Sequence, residues 1–323
     1  MCADERIVDD ATMTRAVEIL RCGGIVAFPT ETVYGLGANA FDAEAVARIF
    51  EAKKRPRFDP LIVHVRDDAM LATVAAEIGP NARKLIERFW PGPLTLVFPK
   101  RSSVPDLVTA GLAAVAVRMP SHAVARELLR RTGLPLAAPS ANPFGFLSPT
   151  QAAHVARMLG DCVDLIVDGG PTSLGVESTI LVPDPVAMLL RPGALPLEEI
   201  EAVVGPVSRP SGDSAGPAAP GRLPRHYSPA TPIRIVDPAT VPVAERAGAA
   251  VLAWRSLPEG YAAGRVLSPA GDLREAAAHL FERLHELDAL RPSRIDAEPV
   301  PERGLGLAIA DRLRRAAGGG AGF

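Results

Sequence analysis

Pro29-Thr30-Glu31-Thr32-Val33-Tyr34-Gly35-Leu36-Gly37-Ala38-Asn39-Ala40, followed at 52–65 by A-K-K-R-P-R-F-D-P-L-I-V-H-V, is the stretch that decides how this chain is read. A neutral turn rich in Thr and Gly comes first. One helix later, four cations crowd between Lys53 and Arg57. The chain has only four lysines among its 35 basic residues, and Lys53 and Lys54 are two of them. An ammonium meets a phosphate oxygen as a point charge, while Arg55 can meet it as a two-pronged fork. The alternative is a solvated helix end where cations offset the helix dipole. Composition leaves both readings open.

Working outward, apolar strands and amphipathic helices alternate. Strands are expected at 24–28, 61–65, 94–98, 114–118, 135–138, 164–167, 178–182 and 187–190. Helices are expected at 12–22, 68–78, 80–89, 122–132 and 150–159. Another runs from an Asp42 N-cap to about Lys53, with Ala45, Val46, Ile49 and Phe50 on one face. This order predicts a layered α/β domain over residues 1–204. Residues 205–230 hold six Pro, four Gly and four Ser, the composition of a linker. A smaller α/β domain is expected over 231–323, with strands at 233–236, 249–254 and 264–267 and helices at 272–290 and 303–316. Its tail from Gly318 reads as disordered.

Hydrophobic content of 48% is ample for cores, and the net charge of −2 gives no global attraction to nucleic acid or anionic membrane. Cys2, Cys22 and Cys162 are scattered, so neither a disulfide framework nor a metal site is expected, and a reducing cytoplasm is the default. No apolar run approaches membrane-spanning length. Gly35 to Ala40 matches G-x-G-x-x-A, but the glycines do not directly follow a strand and a basic helix end stands where an acidic residue should, so a dinucleotide site is disfavoured.

Several further segments carry chemistry. Pro139-Ser140-Ala141-Asn142-Pro143 follows an apolar strand, where ligand loops sit in α/β folds. Ser148-Pro149-Thr150 reads as a helix start with Ser148 as N-cap, or as part of a site. Asp168-Gly169-Gly170 and Gly175-Val176-Glu177-Ser178-Thr179 form a second turn-rich region. Arg118 and Arg191 each end a strand beside a turn, either as exposed ends or as walls of a concave anion site. The linker ends with Arg222, Arg225, His226 and Tyr227, more functional chemistry than a passive spacer uses.

Together these segments resemble the YrdC-like threonylcarbamoyl-AMP synthase family in its longer two-domain form. The signature is K-x-R followed far downstream by S-x-N, here Lys53-Lys54-Arg55 and Ser140-Ala141-Asn142. P-T-E-T-V-Y-G-L-G, P-L-I-V-H-V, W-P-G-P-L-T, V-R-M-P, S-P-T, G-V-E-S-T-I and the P-G-x-x-x-x-H-Y-x-P linker follow in order. The resemblance implies a twisted mixed sheet with flanking helices, plus a Rossmann-like C-terminal α/β domain. It implies synthesis of threonylcarbamoyl-adenylate from L-threonine, bicarbonate and ATP, with pyrophosphate released, magnesium accompanying ATP, and a downstream tRNA threonylcarbamoyl-transferase protein as acceptor. Stable nucleic-acid or membrane binding is not implied. By matching position, Thr32, His64, Arg118, Ala138 and Ser178 would line the threonine site. Lys53, Arg55, Asp59, Ser140, Asn142, Ser148, Arg191 and Tyr227 would meet ATP, with Lys53, Arg55, Ser140 and Asn142 as the catalytic set. The linker would act as a lid, and the C-terminal domain would anchor its far end without contributing chemistry. The chain departs from the family in three places: Lys54 stands where Gly is common, Asp59 where Asn is, and Ala114 where Thr is. The competing expectations are a related carbamoyltransferase, against which the few scattered cysteines count, and a non-catalytic RNA-binding module, against which the net charge and 5% aromatic content count.

Overall fold

Residues 8–209 and 226–318 are described by a computed structural model. The expectations placed on Arg222, Arg225 and the body of the linker, and on the last five residues, lie outside these. Strands β1 (Val26–Phe28), β2 (Gly35–Asn39), β3 (Ile62–His64), β4 (Leu94–Pro99), β5 (Ala114–Arg118), β6 (Leu136–Ala137), β7 (Leu165–Ile166), β8 (Thr179–Val182) and β9 (Met188–Arg191) form one mixed sheet. Its order is β7-β1-β2-β6-β3-β5-β4-β8-β9. Helices α1 (Asp10–Arg21), α2 (Ala43–Lys53), α3 (Asp68–Val74), α4 (Pro80–Phe89), α5 (Asp106–Thr109), α6 (Ala123–Thr132), α7 (Ala152–Leu159) and α8 (Leu197–Val204) connect the strands. In the second part, β10 (Ile233–Ile235), β11 (Ala250–Ala253), β12 (Ala263–Val266) and β13 (Ile295–Ala297) pair in the order β10-β13-β11-β12, all parallel. Helices α9 (Val243–Arg246), α10 (Leu273–Ala289) and α11 (Gly306–Ala316) complete it.

Two elements were not legible as strands. The glycine-rich segment 35–39 reads as a turn, yet it is β2, paired antiparallel to β1 and β6. Glycine is required there because a Cβ on Gly37 would stand 2.6 Å from the Phe28 ring. Close approach, not strand propensity, chose the residue. β13 is a three-residue I-D-A strand whose buried Asp296 breaks the apolar pattern; Arg234, Arg294 and Tyr261 all donate to its carboxylate.

Helix α2 is well specified by its ends. The Asp42 carboxylate accepts from the backbone N–H of Glu44 and Ala45, capping the first turn. Ala45, Val46, Ile49 and Phe50 are buried as the spacing requires. Lys54 ends the helix in the left-handed region, at φ 52°. The position takes a conformation that glycine adopts freely and lysine does not. Lys54 is exposed. Lys54→Gly is therefore expected to leave ATP kinetics unchanged and to raise stability by about 0.5–1 kcal/mol. A denaturant midpoint that falls in this variant would contradict the assignment.

The two parts share packing. Val33, Leu147, Val176, Ala194 and Tyr227 belong to the same buried cluster as Leu252, Leu280, Phe281 and Ile309. Gly175, at φ 69°, lets its loop lie against α10, where a Cβ would come within 2.3 Å of the Ala278 carbonyl oxygen. Beside this contact His154 and His285 stack at 4.0 Å between ring centroids. His285 Nε2 bonds the Ser148 carbonyl at 3.1 Å and its Nδ1 meets Arg157 Nη2 at 3.1 Å. Burial, then the neighbouring His285 and Arg157, lower the His154 pKa to about 3. Burial lowers that of His285 to about 4, with the Ser148 carbonyl opposing and Arg157 assisting. In the unfolded chain both titrate near about 6.5. Below that value the unfolded state binds protons that the folded state refuses. Stability is thus present above about pH 6.5 and falls as pH drops toward the folded values, by about 1.4 kcal/mol per pH unit for each histidine. Melting temperature should decline steeply between about pH 6.5 and pH 4.5 and less steeply in His154→Gln. Equal slopes in the two proteins would remove this pair as the cause.

Candidate active site

Strand direction assembles the site at one end of the nine-stranded sheet. His64 and Arg118 close β3 and β5 and are register partners, and Thr95 on β4 pairs with the same Arg118. Arg191 closes β9 opposite Ile180. Gly35 opens β2 and bridges to Ser140, so the turn at 29–34 and the S-x-N loop meet. Polar side chains at strand ends can converge here without breaking a ladder.

Arg118 is the centre of one half. Its Nε donates to the Gly92 carbonyl at 3.1 Å and its Nη1 to Thr32 Oγ1 at 2.8 Å. Its Nη2 pairs with Glu31 Oε1 at 2.6 Å, both groups being buried. Thr32 Oγ1 also meets Thr30 Oγ1 at 2.8 Å, and Ser178 Oγ meets Thr95 Oγ1 at 2.7 Å. His64 is buried and packs edge-on to Phe28. Burial, with the Arg118 charge assisting, lowers its pKa to about 3, so the imidazole is neutral at pH 7. This half offers a fixed guanidinium, hydroxyls and a neutral ring, a set suited to a small hydroxylated carboxylate.

Cations gather in the other half. Arg55 Nε donates to the Asp59 carbonyl at 3.1 Å and Nη2 to the Pro60 carbonyl at 2.8 Å, and Nη2 also pairs with Asp59 Oδ2 at 2.9 Å. Arg191 Nη2 donates to the Ser178 carbonyl at 2.9 Å, and its Nη1 lies 3.4 Å from Tyr227 Oη. His226 sits between Phe144 and Tyr227, edge-on to both. Its pKa is pushed well below the usual histidine range, by burial first and then by Arg55, Lys53, Arg191 and Arg312.

Thr32, His64, Arg118, Ala138 and Ser178 share one cleft with Arg55, Ser140, Arg191 and Tyr227. Lys53, Asp59, Asn142 and Ser148 stand behind its walls. Lys53 is fully buried and its Nζ donates to the carbonyls of Ser140 and Asn142, so the K-x-R helix end holds the S-x-N loop. Asn142 Nδ2 donates to the Pro143 and Phe146 carbonyls at 3.0 and 2.8 Å, while its buried Oδ1 has no hydrogen-bond partner among the described residues. Asp59 faces Arg55, which answers what a carboxylate does at that position. Ala114 lies at the opposite end of β5 from Arg118, paired with Pro99, and does not line the cleft.

Three bland readings are corrected. The solvated-helix-end reading holds for Lys54 and Arg57 but fails for Lys53 and Arg55, which are buried. Arg118 and Arg191 are not exposed strand ends, being 3% and 4% accessible. Ser148 is not the N-cap of α7, a place held by Gln151; its Oγ instead donates to Glu177 Oε1 at 2.5 Å. Glu31, Glu177 and Arg312 were missed. The two glutamates lie inside quoted motifs, and their neighbours Thr32 and Ser178 were the available signal. Arg312 lies inside α11, one turn before its basic end, and nothing in the sequence marks it. Among the described residues no group of three His, Cys, Asp or Glu is placed to hold a metal ion.

Comparison with known proteins identifies the family. Residues 18–193 match the family model Sua5_yciO_yrdC, described as "Telomere recombination", and residues 195–318 match the C-terminal domain model of threonylcarbamoyl-AMP synthase. The chain is 43% identical to the threonylcarbamoyl-AMP synthase of Bacillus subtilis, over 98% of this chain and 96% of that protein. It is 45% identical to that of Pyrococcus abyssi, over 94% and 93%. The crystal structure of P. abyssi Sua5 complexed with L-threonine superposes with a TM-score of 0.89 at 43% identity, covering 98% of this chain and 96% of that one.

Proposed function

The chain belongs to the two-domain threonylcarbamoyl-AMP synthase family, and from that premise we propose how its cleft carries out the reaction. The enzyme is of the nucleotidyltransferase type, with threonine and ATP as substrates. The threonine amine adds to carbon dioxide and loses a proton, or condenses with bicarbonate and releases water, to give a carbamate. A carbamate oxygen then attacks the α-phosphorus of ATP, the bond to the bridging oxygen breaks, and pyrophosphate leaves with that electron pair. Such a displacement needs little covalent chemistry from the protein. It needs two reactants held in line and neutralisation of the leaving group.

Arg118 takes the threonine carboxylate, with Thr32, Ser178 and neutral His64 around the side chain and Ala138 leaving room for it. Arg55 and Arg191 face the phosphates, Ser140 and Tyr227 contact the nucleotide, and Lys53 and Asn142 hold the loop that presents Ser140. The observation that carries this reading is the separation of cations. Arg118 serves the hydroxyl-lined half and Arg191 meets it only at Ser178 on the boundary, while Arg55, Arg191 and Lys53 together create a positive field in the other half that helps, after burial, to lower the His226 pKa. A triphosphate is attracted by the same field. Magnesium carried on the phosphates would share neutralisation of pyrophosphate. Asp59, Glu31 and Glu177 are each paired with an arginine, so the ion would keep to phosphate oxygens and water. No described helix is long and apolar enough to cross a membrane. A cytoplasmic enzyme that hands its product to a tRNA-modifying protein fits this chemistry.

Pyrophosphate release tests the reading. Release is expected only when threonine and bicarbonate are both present with ATP. Release independent of threonine, or carbamoyl transfer from carbamoyl phosphate, would reject it.

A further inference from the structure

Arg312 belongs to α11, far along the chain from the cleft, yet its side chain is completely buried against the cleft wall. Its Nε donates to Glu177 Oε2 at 2.7 Å, and Nη1 pairs with the adjacent Asp311. Its guanidinium carbon stands 4.9 Å from the centroid of the Tyr227 ring. Among the described residues its buried Nη2 finds no hydrogen-bond partner. Glu177 and Tyr227 both line the cleft, and Glu177 precedes Ser178, whose carbonyl holds Arg191. One cation from the second domain therefore ties together a carboxylate, a phenol ring and, through them, Arg191.

We propose that Arg312 is a positioning residue of the adenylate-forming site, holding the Glu177 carboxylate and the Tyr227 ring so that the nucleotide meets Arg191 and Arg55 unopposed. The C-terminal domain is then part of the catalytic apparatus and not merely the linker's far anchor. The proposal rests on the reading of the cleft as an adenylate site. Its physical core is the buried Glu177. Burial alone would raise its pKa, but the Arg312 and Arg191 charges, with the Ser148 and Arg312 hydrogen bonds, hold it below the usual glutamate range. Without Arg312 the anion keeps the Ser148 hydroxyl and turns its remaining charge on Arg191. That cancels part of the field that receives phosphate. The freed carboxylate also becomes easier to protonate.

The test uses the full chain. Arg312→Met is expected to raise KM for ATP about tenfold or more, with threonine affinity within about twofold. In Arg312→Met, KM for ATP should fall back toward wild type as pH is lowered and Glu177 takes up a proton, a dependence stronger than that of wild type measured in parallel. Adding Glu177→Gln to Arg312→Met should recover most of the lost ATP affinity. Arg312→Lys, which keeps the charge but not the fork, should show a smaller rise, about threefold, and keeps the test open if the methionine variant does not fold. An unchanged KM for ATP in either single variant overturns the proposal. So does an equal loss of ATP and threonine affinity that neither lower pH nor Glu177→Gln repairs, since that is mere loss of structure. Wild type serves as the control. If it releases no threonine-dependent pyrophosphate, the reading of the cleft fails, and ATP affinity measured calorimetrically on the same proteins still decides the role of Arg312.

Discussion

Lys53→Ala is expected to lower kcat/KM for ATP by about a hundredfold or more and to lower stability by roughly 1–4 kcal/mol. Lys53 is a buried cation whose Nζ bonds two backbone carbonyls, at Ser140 and Asn142. Alanine leaves the buried Asn142 carbonyl without its donor, a loss of about 1–3 kcal/mol, and leaves the Ser140 carbonyl only the Asn142 backbone N–H at 3.1 Å. The loss is partly offset, because burying an ammonium is itself unfavourable. Burial first, and then the Arg55 charge, lower its pKa well below the usual lysine range, with Asp59 opposing. Kinetics should therefore suffer more than stability. The S-x-N loop carries Ser140 in the cleft wall, and misplacing reacting groups by a fraction of an ångström weakens an in-line displacement sharply. Arg55→Ala should lower kcat/KM for ATP by about ten- to a hundredfold, since the fork itself faces the cleft. Steady-state kinetics with a parallel melt decide this. Near-wild-type turnover in Lys53→Ala would mean that the loop holds itself without the lysine.

The same residue marks what the sequence could tell. Lys53 and Arg55 were conspicuous because a chain so poor in lysine places two of them together. Their roles were not legible, because helix phase does not distinguish a cation facing solvent from one facing backbone carbonyls across a loop 87 residues away. The alternation of strands and helices was readable because covered sheets demand apolar runs. The glycines of β2 hid a strand, since the constraint on Gly37 comes from the Phe28 ring and not from its neighbours in sequence. Glu31 shows the same limit. It lies in the stretch that drew most notice, but its partner Arg118 is known only once β5 is placed beside the turn. Arg312 is the extreme case: one of several arginines of α11, which acquires a role only when the helix docks on the other domain.

Arg118→Lys should weaken threonine binding by about thirtyfold or more while leaving ATP affinity within about threefold. In the cleft as we read it, this guanidinium takes the threonine carboxylate. Its other contacts are already fixed: Gly92 carbonyl, Thr32 hydroxyl and the Glu31 carboxylate. Those contacts aim the planar group before any ligand arrives, so little order remains to be imposed on binding. Lysine keeps one positive charge beside Glu31 but cannot bridge three acceptors and a ligand at once. Alanine is a poorer probe, because it strands a buried carboxylate and would lower stability by about 3–5 kcal/mol. The Arg118→Ala, Glu31→Gln double variant removes both charges and separates the two effects. It should fold better than Arg118→Ala alone and still bind threonine poorly. Calorimetric titration with threonine, then with ATP, reads both arms. Threonine affinity equal to wild type in Arg118→Lys and in the double variant would show that the carboxylate is held elsewhere. Loss of ATP affinity in equal measure would mean that Arg118 shapes the whole cleft and not its threonine half.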